Sequence, residues 1–303
     1  MPELPEVEAV RASLEPLVGR RVLRATLRRR DVLVAPGDPQ GGFSRATGDR
    51  RPKRYTSGML LAGARISGVL RHGKQLAIAG ELDRATPVLA AHLGMTGRFE
   101  RIGPGLRARA TPHAHAQWWL DDGSRLRFVD PRRFGGLWAL PGRADLDARW
   151  SALGPDPLDA GAAALARDLV RAFAGSGRRV KAALLDQRVV AGVGNIYADE
   201  SLWGARIAPG RVAGSLTSTE ASALAEAIVG VLRRAVEAGG STLRDYADAN
   251  GEAGGFQHQH AVYGRGGQPC RRCGTRLERC TLAQRTTVSC PQCQAFKGDT
   301  HVG

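Results

Sequence analysis

Three stretches of this chain hold side chains able to do covalent or metal chemistry: MPELPEVE at the start, RHGKQL around Lys74, and a cysteine-rich segment near the end. Methionine before a small residue such as Pro2 is normally removed, which leaves Pro2 with a secondary α-amine. An α-amine titrates near ~8 and a lysine near ~10.4, so more of the former is unprotonated at neutral pH. A secondary amine that attacks a sugar carbon gives a cationic iminium, an electron sink that splits one hard step into two easier ones. Glu3, directly behind it, is placed to act as a general acid or base. The amines able to form such an adduct are the N-terminus and the four lysines, Lys53, Lys74, Lys181 and Lys297. A plainer reading covers part of the same stretch. Pro5 suits the first turn of a helix, and Glu6 and Glu8 favour the positive end of its dipole. That reading leaves Pro2 and Glu3 as N-terminal clutter.

The cysteines are Cys270, Cys273, Cys280, Cys290 and Cys293. Four of them form C-x2-C-x16-C-x2-C, a spacing expected of a four-thiolate zinc site. Two CxxC knuckles can set four sulfurs tetrahedrally around one ion. Two disulfides are the alternative, disfavoured in a reducing compartment. Cys280 belongs to neither knuckle and is left as a free thiol.

Four further motifs carry weaker signals. In AGVGNIY, Gly192 and Gly194 allow close backbone approach and a helix start offers N–H groups to an anion, with Asn195 as a side-chain donor; taken alone, an ordinary turn between helices is the better account. In VDPRRFGG, a turn displays Arg132, Arg133 and Phe134, suited to a base edge and to a wedge between bases; a strand end with Phe134 in the core is at least as good an account. HLGMTG holds Met95, by itself a core residue. PHAHAQ supplies His113 and His115, read as surface or phosphate-contacting.

These groups need a scaffold. Over 303 residues the size suggests about two domains. From 20 to about 140 the chain reads as short strands broken by Gly and Asp-Gly turns, with DDGS as a hairpin signal. An antiparallel sandwich or barrel behind one leading helix follows. A Gly-, Pro- and Arg-rich loop at about 37–58 interrupts it. LPGRADLDARWSALGPDPLDA reads as a linker. From about 158 to 238 the pattern is helical, the last helix capped by Ser218 or Thr219 and stopped at Gly239. The formal net charge of +15 points to a polyanionic partner. No apolar run is long enough to span a membrane, and the acidic start lacks a signal-peptide pattern, so an intracellular, cytoplasmic protein is expected.

The order MPELPEVE, RHGKQL, HLGMTGRF, PHAHAQWWLDDG, RFVDPRRFGG, LGPDPL, VVAGVGNIYADESLW, GGSTLRDY, VYGRGGQPC and the cysteine ribbon resembles that of the formamidopyrimidine-DNA glycosylases, from residue 2 to about 294. The related endonuclease VIII group follows Pro-Glu with Gly rather than Leu-Pro. The resemblance implies an α+β fold: a catalytic N-terminal β-sandwich with a leading helix over 2–140, a linker over 141–157, a helix–two-turn–helix domain with a lesion-recognition loop over 158–261, and a zinc-ribbon hairpin over 262–296. It implies Pro2 as nucleophile at the sugar C1′, Glu3 as the proton donor that opens the sugar ring, Glu6 as an organiser and Lys74 as a lesion contact that assists β-elimination. Met95, Arg132 and Phe134 would fill the gap left by a flipped base, Arg132 facing the orphan cytosine. His113, Arg178, Lys181 and Asn195 would lie along phosphates. Arg285 would grip a phosphate and assist δ-elimination. Cys270, Cys273, Cys290 and Cys293 would hold one structural zinc. The implied substrate is double-stranded DNA carrying oxidised purines or abasic sites, bound by a monomer in a basic cleft between the domains and cut by β,δ-elimination. Two departures stand out: the 37–58 loop, with Arg45, Arg50, Arg51, Lys53 and Arg54, is longer than the family's, and Ile207-Ala208-Pro209 replaces Ile-His-Pro. Two rival functions remain open: an endonuclease VIII-like enzyme for oxidised pyrimidines, and a non-catalytic binder of damaged DNA that needs no free Pro2.

Overall fold

In a computed structural model, the described residues are 1–34, 56–107, 109–242 and 246–295. Most of the 37–58 loop, including its five basic residues, lies outside them, as does part of GGSTLRDY. The chain divides into two compact units. One comprises 1–2, 6–152 and 239–254; the other comprises 3–5, 153–238 and 255–303. Two features differ from a simple division along the chain: residues 3–5 count with the second unit, and the 239–254 loop, expected with the helical domain, counts with the first.

The first unit is a β-sandwich. One sheet has the order β1-β7-β8-β6, with β1 Val22–Leu27, β6 Arg98–Ile102, β7 Ala114–Leu120 and β8 Arg125–Val129. The other runs β2-β9-β5-β4-β3, with β2 Leu33–Val34, β3 Arg65–His72, β4 Gln75–Glu81, β5 Val88–His92 and β9 Gly136–Leu140. All pairings are antiparallel except the two-residue contact of β2 with β9. The DDGS signal is the β7–β8 hairpin, as its alternating flanks require. Phe99, Trp118 and Phe128 from one sheet pack with Leu76, Ile78 and Leu89 from the other, and Val7, Val10 and Leu14 of the leading helix α1, Leu4–Leu14, join them.

The supposed linker folds. Residues Arg143–Trp150 form helix α2, whose buried Leu146 packs with Ala77, Val88, Ala90, Trp138 and Leu140 on the outer face of the five-stranded sheet. That sheet is therefore covered on both faces, which explains why β5 and β9 are buried along their whole length.

The second unit is helical. Helix α3, Pro157–Phe173, starts with Asp156 accepting the Leu158 N–H at 3.1 Å and Pro157 in the first turn. Helix α6, Ser218–Glu237, is capped one residue earlier than expected: Thr217 and Glu220 form a reciprocal capping box. Leu165, Leu169 and Phe173 of α3 and Leu224, Ile228 and Leu232 of α6 recur at helical spacing and share one core with α4, Val180–Leu184, and α5, Asn195–Gly204. A β10–β11 hairpin, Glu278–Leu282 and Arg285–Ser289, carries a small core of its own with Val262, Leu277 and Val288.

Candidate active site

In the second unit the main chain just behind Pro2 lies against the turn into α5. The Leu4 N–H donates to Gly192 O at 3.1 Å. Glu3 is 3% exposed, and its carboxylate accepts the N–H groups of Gly194 at 2.7 Å, Ile196 at 2.9 Å and Tyr197 at 3.4 Å. These are donors that a helix start leaves without intrahelical partners, and the helix dipole favours a negative group there. AGVGNIY is therefore not an open anion cradle for a phosphate: Glu3 occupies the N–H groups, and Gln187 takes the Gly192 N–H at 2.9 Å. Glycine at 192 serves packing. Its φ is +92°, and a Cβ there would stand 2.6 Å from the Leu4 side chain.

The same unit buries Lys181. Its side chain is fully buried, and Nζ lies 2.7 Å from Asp199, 2.8 Å from Thr287 Oγ1 and 3.2 Å from Thr286 O. An ammonium with three internal partners ties α4 and α5 to the β10–β11 hairpin. Burial pushes the Lys181 ammonium down and the Asp199 carboxyl up to about 6, the second against the pull of the lysine. Asp199 also accepts the Val288 N–H at 3.1 Å, and Glu200 accepts the N–H groups of Ala261, Val262 and Tyr263 at 2.8 to 2.9 Å. Nothing in the sequence reading singled out these two acids. The available signal was an acidic pair inside NIYADESLW, a helix with no polar face to put it on.

Asn195 donates to Thr286 O at 3.1 Å, so it too braces the hairpin. Arg178 is exposed and bonds Asp186 at 3.1 Å and Ala182 O at 2.8 Å. Arg285 is exposed beside the hairpin turn, where Ala283 and Gln284 take left-handed conformations.

The thiols of Cys270, Cys273, Cys290 and Cys293 all lie within 4.8 Å of one another, and Cys280 stands apart on β10. The closest sulfur contacts are 3.5 Å and 3.9 Å. These are far from the ~2.05 Å of a disulfide and match four sulfurs each ~2.3 Å from a shared tetrahedral ion. N–H groups of Trp203, Arg272 and Cys293 point at the sulfurs at 3.3 to 3.4 Å, as thiolates require. The donor set fits one structural zinc with no open coordination position.

In the first unit, Lys74 is buried in the turn between β3 and β4. Glu6 on α1 accepts the Ser241 N–H at 2.7 Å, and its carbonyl takes the Tyr246 hydroxyl at 2.9 Å, so it holds both flanks of the 241–246 loop. Met95 and Phe134 are 44% and 42% exposed, so neither belongs to the core. Their loops interlock backbone to backbone: a Cβ at Gly94, φ +61°, would fall 2.3 Å from Phe134 C, and one at Gly135 would fall 2.6 Å from His92 O. Asp130, fully buried, organises the turn. Its carboxylate accepts the Thr96 hydroxyl at 2.7 Å and the Gly135 N–H at 2.8 Å, while Thr96 Oγ1 accepts the Arg132 N–H at 3.2 Å. The Arg132 guanidinium stacks on the Phe134 ring at 4.7 Å. His113 is exposed, whereas His115 is buried with Nε2 2.8 Å from Asp130 O, contrary to the surface reading. His92 is neutral: burial, then Lys74 and Arg149, push it down to about 3, and its Nδ1 accepts the Gly94 N–H at 3.0 Å. Sequence reading missed Thr96 and Asp130 because a buried carboxylate in a turn looks like any surface Asp before Pro.

The formamidopyrimidine-DNA glycosylase N-terminal domain matches residues 1–137, the formamidopyrimidine-DNA glycosylase H2TH domain matches 153–247, and the zinc finger found in FPG and IleRS matches 267–295. The chain is 45% identical over 298 residues to the formamidopyrimidine-DNA glycosylase of Laribacter hongkongensis, covering 97% of this chain and 100% of that one. A crystal structure of the Thermus thermophilus Fpg protein superposes with a TM-score of 0.78 at 42% identity, covering 97% of this chain and 98% of that one. Lactococcus lactis Fpg, solved in complex with DNA containing an oxidised pyrimidine, gives 0.78 at 29% identity, covering 97% and 100%. The protein is a member of the formamidopyrimidine-DNA glycosylase family, the bifunctional DNA glycosylases and AP lyases.

Proposed function

We propose that this chain excises oxidised purines, 8-oxoguanine opposite cytosine and ring-opened formamidopyrimidines, from double-stranded DNA, and cuts the strand through an adduct on Pro2. The observation that carries this reading is the anchorage of Glu3. Three backbone N–H groups hold its carboxylate against α5, so the residue one peptide bond upstream is anchored at its carbonyl end. With Met1 removed, the Pro2 nitrogen attacks C1′ and the C1′–N bond to the base breaks; the departing base takes a proton from solvent, and the proton shed by the Pro2 nitrogen passes to the Glu3 carboxylate. Glu3 then hands that proton to the ring oxygen, which opens the sugar and yields the iminium. Loss of a C2′ proton then expels the 3′ phosphate, and a second elimination expels the 5′ phosphate. Both eliminations draw electrons toward the iminium nitrogen. Lys74 would contact the lesion nucleotide, where a compact ammonium suits a crowded spot better than a planar guanidinium.

Flipping the lesion costs a few kcal/mol, which side chains inserted in its place partly offset. The exposure of Met95 and Phe134 on interlocked loops, with Arg132 stacked on Phe134, supports that role for all three. His113, Arg178 and Asn195 would position phosphates, with Arg285 at the hairpin turn assisting δ-elimination; Lys181 drops out of this set. The zinc would hold the hairpin that displays Arg285 and takes no part in the chemistry. The enzyme would act as a monomer on intracellular, nucleoid DNA. Among the described residues no helix is long and apolar enough to cross a membrane.

The test is borohydride trapping on a duplex with 8-oxoguanine opposite cytosine, the adduct mapped by peptide mass spectrometry. An adduct on Pro2 is expected. An adduct on a lysine reassigns the nucleophile, and no adduct despite tight binding and a free N-terminus makes the protein a damage-binding module. A parallel duplex with an oxidised pyrimidine, the lesion class seen with the Lactococcus lactis enzyme, ranks the two substrate classes.

A further inference from the structure

Lys74 sits in a two-residue hairpin turn, Gly73–Lys74, closed by the pair His72 and Gln75. Gly73 has φ +56° and Lys74 does not have positive φ, the pattern of a type II′ turn with glycine first. A turn of this size fixes where its second side chain leaves the backbone, but only as firmly as the hairpin end itself is held. That end is gripped by two consecutive residues of α2. Arg149 Nε donates to Gln75 Oε1 at 2.9 Å, and its guanidinium lies 4.1 Å over the Trp138 ring of β9. Trp150 stacks on His72 with ring centroids 5.6 Å apart and planes 25° from parallel. Both members of the closing pair are therefore tied to the same helix end. A third tie comes from the β3 side, where Arg71 Nε bonds Glu8 of α1 at 2.7 Å.

Gln75 and His72 are polar residues at the tip of a hairpin, while Leu146 and the partly buried Trp150 of α2 both pack against the apolar cluster on the sheet. Arg149 is held over an aromatic face, largely out of water, and burial pushes it down to about 10, so it is charged at neutral pH.

We infer that Arg149 and Trp150, in the segment that reads as a linker, are positioning residues for the reaction: by clamping the closing pair His72–Gln75 they set the direction in which Lys74 is presented to the lesion nucleotide. The inference rests on the proposed role of Lys74. A misplacement of about 1 Å at a reacting group can cost about 100-fold in rate, so loosening the hairpin end slows chemistry without touching Lys74 itself.

The experiment is a double-mutant cycle read by single-turnover strand cleavage of an 8-oxoguanine duplex at saturating enzyme. Arg149→Gln/Trp150→Leu is measured in the wild-type and in the Lys74→Ala background, with thermal melting as a check on folding. A drop of about 10- to 100-fold in the wild-type background is expected, with less than about twofold further loss once Lys74 is gone, because residues acting through one group couple strongly. Trp150→Phe, which keeps a stacking ring, should restore most of the rate. Gln75→Met, made from the hairpin side, should reproduce part of the loss and serves where the helix variant is unstable. Equal losses in both backgrounds, or no loss from either variant, overturn the inference. Should Lys74→Ala alone leave the rate unchanged, the proposed role of Lys74 fails, and the positioning role fails with it.

Discussion

Replacing Lys181 with Met separates the two accounts of this lysine. Both it and Asp199 are 0% exposed, and the ammonium meets Asp199, Thr287 Oγ1 and Thr286 O. Methionine is close in volume, so cavity formation is minor. What is lost is the counter-charge, which leaves Asp199 with the Val288 N–H as its remaining partner among those described here. Breaking a buried ion pair from one side costs about 3–5 kcal/mol. The cost depends on pH with a definite sign. Burial already pushes Asp199 up to about 6 while Lys181 pulls it down, so removing the lysine raises it further. A carboxyl with a raised folded pKa binds more protons folded than unfolded, so the penalty grows with pH through that folded pKa and then levels. Urea unfolding followed by circular dichroism should show a larger deficit against wild type at pH 8.5 than at pH 6.5. Adding Asp199→Asn should recover about 2 kcal/mol or more, since the uncompensated charge is gone. A loss below about 1 kcal/mol at pH 8.5, together with weaker DNA binding and a shallower salt dependence, would put Lys181 on a phosphate and refute the reasoning.

Other outcomes follow from the same geometry. Glu3→Ala should lower stability by about 2–3 kcal/mol, because three N–H groups at the start of α5 lose an anionic acceptor, and should abolish trapping; retained melting temperature would argue against the cap. Gly192→Ala should destabilise by about 1–3 kcal/mol from its positive φ and the contact with Leu4, read by the same denaturation. Stripping the zinc with a chelator, or Cys270→Ser, should unfold the 267–295 ribbon and lower DNA affinity, monitored by metal release and hydrogen exchange over Glu278–Ser289. Phe134→Ala should weaken binding to the lesion duplex more than to undamaged DNA; equal losses would remove it from the wedge.

Much of the architecture was legible because local patterns and tertiary needs agree. The period-2 runs became the sandwich, the 3.6-period runs became α3 and α6, and CxxC spacing brought four sulfurs together. Where local and tertiary demands part, the sequence reading erred. Thr217 caps α6 rather than its neighbours because the reciprocal bond to Glu220 decides the position, and residues 143–150 form a helix because the outer face of a five-stranded sheet needs covering. Taken alone, AGVGNIY reads as an ordinary turn between helices, yet its N–H groups do bind an anion, the carboxylate of Glu3.

By itself, then, the sequence determined which chemistry this chain can carry: an amine and an acid at the start, a four-thiolate metal site at the end, and enough positive charge for a polyanion. Residue type and short-range spacing suffice for that, since a proline amine or a CxxC knuckle brings its chemistry wherever it is placed. Only the tertiary structure decided which cation is spent inside and which faces outward. Lys181 and Arg285 are both basic residues in motifs that suggest DNA contact, yet one is sealed against Asp199 and the other stands exposed on a hairpin. The free energy of a charge depends on the water and partners around it, and those are set by segments that lie about a hundred residues away in the chain.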